Sequence, residues 1–106
     1  MSSTTVCRGN ALSVTYISAP LAPAAVASTS ANQTYTISGL TTDQMVYVIG
    51  VVGTQTAGIA YAEAEVTAPN TLQIQFINTS GASATPIAGN YILAVIRPEG
   101  QLPTGL

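Results

Sequence analysis

The stretch "TYTISGLTTDQMVYVIGVV", residues 34–52, decides the fold class. Tyr35 and Ile37 alternate with Thr34, Thr36 and Ser38, the period-two pattern of a strand with one face in a core. "GLTTD" has turn chemistry, with Asp43 placed to accept hydrogen bonds from backbone N–H groups of the turn. "MVYVIGVV" (45–52) is then apolar at successive positions, which fits a strand covered on both faces. Only one of these nineteen residues, Asp43, is charged.

The same grammar extends in both directions. "LSVTYIS" (12–18) places Leu12, Val14 and Tyr16 on one face and Ser13 and Thr15 on the other. "APLAPAAVASTSA" (19–31) is too irregular for a strand, and Pro20 and Pro23 oppose a helix, so it reads as a long loop or edge excursion. "GIAYAEAEVT" (58–67) alternates Ala62, Ala64 and Val66 against Tyr61, Glu63 and Glu65. After the turn "APN", "TLQIQFI" (71–77) turns Leu72, Ile74 and Phe76 inward and Gln73 and Gln75 outward. "NYILAVIR" (90–97) is again apolar on both faces. The expectation is an all-β domain, an antiparallel β-sandwich or small barrel of about six strands spanning 12–97. An N-terminal arm (1–11) and an extended C-terminal tail (98–106) flank it.

Composition bounds the function. Of 106 residues, 6% are charged, against about 25% in an ordinary soluble domain. The net charge of −2 offers no field for phosphates, so nucleic acid is not an expected partner. The longest apolar run is eight residues, whereas a spanning helix needs about 20, and the N-terminus lacks the apolar core of a secretory signal. Membrane is therefore not expected either. What remains to cover strands that are apolar front and back is protein. Met45, Tyr47, Ile49 and Val51 of the one strand, with Ile92, Ala94 and Ile96 of the other, are the candidate interface, and Arg8 and Arg97 are candidates for ion pairs across it.

No residue set points to catalysis, a cofactor or a metal. There is no His to activate a nucleophile, and Cys7 stands alone. Glu63 and Glu65 leave one face of a strand about 7 Å apart, a spacing glycosidase carboxylates also use. Spacing alone is weak evidence, and the expected role is a solvated sheet face or an ion pair to Arg8 or Arg97 of a neighbouring copy. The sequons "NQT" (32–34) and "NTS" (78–80) are matches of the kind a chain rich in Asn, Ser and Thr produces by chance.

Three stretches in order, "TISGLTTDQMVYV", "NTLQIQFINTSG" and "TPIAGNYILAVIR", resemble small virion structural proteins of tailed bacteriophages over residues 33–97. Head decoration (cement) proteins are the class most similar in size and character. The resemblance implies a virion location after synthesis in the host cytoplasm. It also implies a homo-oligomer, a trimer being the common form, and contact with the major capsid protein or another virion protein. A tail, fibre or neck component recognising host-surface glycan is the alternative reading.

Overall fold

The computed structural model describes residues 11–100. Of the arms expected at 1–11 and 98–106, residues 1–10 (with Cys7 and Arg8) and 101–106 lie outside the described residues, while Ala11 opens the first strand and Pro98 ends the last. Six strands are present: β1 (Ala11–Leu21), β2 (Ser30–Thr36), β3 (Met45–Val51), β4 (Ile59–Ala68), β5 (Thr71–Asn78) and β6 (Gly89–Pro98). All pairings are antiparallel, and the order across the sheet is β1-β6-β3-β4-β5-β2. The all-β antiparallel fold read from the sequence is the one observed.

This sheet is not flat. β6 and β5 stand three places apart, about 14 Å in a planar sheet at the usual strand spacing. Their side chains nevertheless meet, with the ring centroids of Phe76 and Tyr91 only 6.4 Å apart. The fold line is the β3–β4 junction, whose ladder has one register pair, Met45 with Glu65. Two three-stranded layers result, β1-β6-β3 and β4-β5-β2, closed over one core. Leu72, Ile74 and Phe76 from β5 are fully buried there against Tyr91, Leu93 and Val95 of β6, with Val46 and Val66 beside them.

The open side, between edge strands β1 and β2, is closed by a loop. β1 runs farther than the sequence pattern indicates, through Pro20 to Leu21; an edge strand tolerates proline because one side of its backbone needs no ladder partner. Residues 22–29 then cross between the layers. Val26 is buried and forms an isolated bridge to Ala84. The Gln33 amide holds the crossing as a peptide group would, accepting from the Ala24 N–H and donating to the Ala24 carbonyl, both at 2.9 Å.

The ladders shift register at four places, Ala11/Ser13, Val48/Gly50, Tyr61/Glu63 and Val66/Ala68, and two of these decide which way side chains near the outer faces point. The β3–β6 register shifts between Val48 and Gly50, so Val51 pairs with core residue Tyr91 and packs inward, not alongside Met45 and Tyr47. The β4–β5 register shifts between Tyr61 and Glu63, so Tyr61 lies on the core side with Ala64 and Val66, away from the glutamates. An inserted residue reverses every parity beyond it. The turn after β4 is as "APN" implies. Asn70 takes φ 62°, and its side chain accepts the Gly39 N–H at 2.8 Å, tying this turn to the β2–β3 loop.

Candidate functional site

Register assigns the outer face of the β1-β6-β3 layer residue by residue. Tyr91, Leu93 and Val95 of β6 point into the core, so Ile92, Ala94 and Ile96 point out. Val14, Ile96 and Met45 form one transverse row, and Tyr16, Ala94 and Tyr47 form the next. Leu12, Val14, Tyr16, Met45, Tyr47, Ile49 and Val52 are the large exposed apolar side chains of the described residues, and all lie on β1, on β3 or one residue past it. Tyr16 is 70% exposed and Tyr47 57%. Ala94 between them is only 5% exposed although it stands outside the core cluster. The two flanking rings shelter it.

The other layer's outer face has the opposite character. Glu63, Gln75 and Asn32 form one row, and Glu65, Gln73 and Thr34 the next. One layer thus presents aliphatic and aromatic groups to solvent, the other amides, hydroxyls and two carboxylates. Six of the seven expected apolar interface residues (Met45, Tyr47, Ile49, Ile92, Ala94 and Ile96) converge on the apolar face; Val51 does not. β1 contributes Leu12, Val14 and Tyr16, which alternation had grouped without showing that their side is the outer one. Arg97 is exposed on β6 beside Ser13, past the end of the core, and Arg8 lies outside the described residues.

Little else resembles a site. Where the β3–β4 ladder lapses, a cleft of about 200 Å³ opens between Val46, Tyr47, Val48, Tyr61, Ala62, Glu63 and Ala64. Ligand pockets usually hold roughly 300–1,000 Å³. Among the described residues no group of three or more His, Cys, Asp or Glu could hold a metal ion. Asp43 accepts a hydrogen bond from the Thr41 hydroxyl. The Thr41 N–H of that turn goes instead to the Gln44 side chain, at 3.0 Å, so part of the role expected of Asp43 falls to Gln44.

Sequence reading missed the polar groups that organise the interior. Gln55 donates to the hydroxyls of Tyr61 (2.9 Å) and Tyr91 (3.0 Å) and accepts from the Ile87 N–H (2.8 Å). The Tyr91 hydroxyl in turn donates to the Ile87 carbonyl at 2.7 Å. Burial raises the Tyr91 phenol above its ordinary value; the Gln55 hydrogen bond opposes this and Tyr61 adds to it. Burial, with a smaller contribution from Tyr91, pushes Tyr35 up to about 12. A folded-state value above the unfolded one means that the protonated phenol is the form the fold holds. The contribution is complete below pH 10, the unfolded value, and is lost as pH rises toward 12. Alkaline titration followed by phenolate absorbance is therefore expected to show Tyr35 and Tyr91 ionising above the ordinary tyrosine value, with stability falling across that window. Complete ionisation near pH 10, with the fold intact, is the contrary result.

Comparison with known proteins gives no matching family model, no matching curated protein and no matching solved structure.

Proposed function

We propose that this chain is a structural protein of a tailed-bacteriophage particle, a capsid decoration or cement protein that acts by binding alone. The observation that carries this reading is the apolar outer face of the β1-β6-β3 layer. Contiguous exposed apolar surface of this kind marks an interaction site, because leaving it in water forfeits about 25 cal/mol per Å². The stretches that resemble virion proteins fall on β2–β3, β5 and β6, which build the core and most of that face. Many modest contacts engaged together on a shell reinforce one another by avidity, so a small domain can stabilise a large particle.

Tyr16 and Tyr47 are the exposed rings a glycan would stack on, but on their own strands and on β6 aliphatic groups and Ala94 surround them. That setting favours protein contact over a fibre-type glycan site. Immunogold labelling of particles released by cells carrying the gene tests the proposal. Label distributed over the heads is the expected outcome. Label confined to tails would transfer the chain to the tail or fibre class, and particles without label would overturn the virion reading.

A further inference from the structure

We propose that the outer face of β1, β6 and β3 is covered by the same face of a second copy of this chain, the two copies being related by a two-fold axis that passes between Ala94 and Tyr47. The inference rests on reading this face as a contact surface and not on the virion assignment. It gives the face to contact between copies and leaves any shell contact to the rest of the molecule, so solution mass and particle labelling can fail separately.

Extent is the first argument. Seven large apolar side chains stand between 37% (Met45) and 70% (Tyr16) exposed on β1 and β3 or one residue past it, a grouping that marks an interaction surface where a monomer would scatter them singly. Edge strand β1 extends the patch through Val14 and Tyr16, with Leu12 beside them, all exposed.

Charge is the second. The outward positions of β1, β6 and β3 within the patch are aliphatic, aromatic or small, with Ser18 and Asn90 at one end and no ionised group. A partner selected by charge would find nothing complementary here. An uncharged face is well suited to an uncharged face, and homodimer interfaces are the apolar class among protein contacts. Glu65 pairs with Met45 across the fold line, and Glu63 lies two residues before it on β4. These carboxylates border the patch on one side, and a lateral slip toward β4 would bury them.

Shape is the third. The row Tyr16–Ala94–Tyr47 is a ridge, a hollow and a ridge. A two-fold axis makes contacts reciprocal: if Tyr47 of one copy fills the hollow over Ala94 of its partner, the partner's ring fills the first copy's hollow. The phenol hydroxyls then reach the rim, where water can solvate them.

Sedimentation equilibrium of the full chain tests this. The expected mass is twice the chain's 10.7 kDa. Tyr47→Glu and Ala94→Glu are each expected to weaken the dimer at least about 100-fold, because the charge enters the interface twice. Tyr47→Glu should keep the β-type circular dichroism spectrum, since that ring is 57% exposed and outside the core cluster. Thr34→Glu, on the polar layer, should leave the dimer unchanged. A trimer, or a dimer indifferent to both face substitutions, would overturn the proposal. So would a monomer at about 10 µM, whether the chain's own terminal segments or a different protein then cover the face.

Discussion

Phe76→Ala is expected to lower the free energy of unfolding by about 3–5 kcal/mol, a large part of the roughly 5–15 kcal/mol a domain of this size possesses. Phe76 is fully buried where the two layers meet, edge-to-face with Tyr61 at 5.9 Å and with Tyr91 at 6.4 Å. The cost of such a deletion depends on how far the surroundings collapse into the space. Here collapse is restrained. Gln55 holds both tyrosine hydroxyls, and Tyr91 is further tethered to the Ile87 carbonyl, so neither ring can slide inward without breaking hydrogen bonds. The loss should therefore fall near the upper end of the range. Urea unfolding measures it directly, with Thr34→Ala on the exposed face of β2 as a reference expected to stay within about 0.5 kcal/mol. A loss below about 1 kcal/mol would mean that the layers do not close on this residue.

The closure that makes Phe76 central was only partly legible in the sequence. Leu72, Ile74 and Phe76 alternate with Gln73 and Gln75, and β5 is half-buried in that pattern. The double-faced apolar character of β3 and β6 was equally plain, and it led to six residues of the outer face. Alternation in β1 showed that Leu12, Val14 and Tyr16 share a side but not which side faces the core. That depends on which strand pairs with β1, and its neighbour is β6, from the far end of the chain. The bulges were invisible for a related reason. An extra residue at Ile49 or Ala62 is defined against the partner's register, so Val51 and Tyr61 were assigned to the wrong side by a rule that is correct for an unbroken strand.

Asymmetry between the layers follows from the same residues. Both inner faces are apolar because both line one core, whereas the outer faces diverge: β4, β5 and β2 place Glu63, Glu65, Gln73, Gln75, Asn32 and Thr34 outward. A monomer would gain solubility from the same pattern on both layers. One layer lacks it, and the missing polar groups coincide with the strands whose second face is apolar. The proposed burial by another protein molecule would account for both facts with one cause.

Asn78 shows how much a polar residue can hold when its partners are distant in sequence, and substitution there is expected to be the other large effect. Read as the first residue of a chance sequon, it is 2% exposed. Its amide donates to the carbonyls of Val26 (2.9 Å) and Ala82 (2.7 Å), and its oxygen accepts from the Ser80 N–H (2.9 Å) and the Ser80 hydroxyl (2.7 Å). The side chain thus locks the 22–29 crossing to the loop after β5, and its amide nitrogen is already engaged. Asn78→Leu, similar in volume, removes these bonds and leaves the Ser80 N–H without its acceptor, for an expected loss of about 3 kcal/mol. Val26 keeps the Ala84 N–H as a second donor, and the single Ser80 hydroxyl proton, released from Asn78, can turn to the Ala82 carbonyl, which limits the damage. Asn78→Asp is nearly isosteric but cannot donate when ionised, and it sets a carboxylate against two carbonyl oxygens. Its neutral form is the one the site can hold, so its folded-state pKa lies above the unfolded value of about 4. Stability is then greatest in acid and falls as pH rises through that folded-state value, a slope Asn78→Leu does not share. Urea midpoints for the two variants at pH 4 and pH 7 separate a hydrogen-bonding role from simple space-filling. Equal losses at both pH values would mean that Asn78 fills volume and that its donors are dispensable.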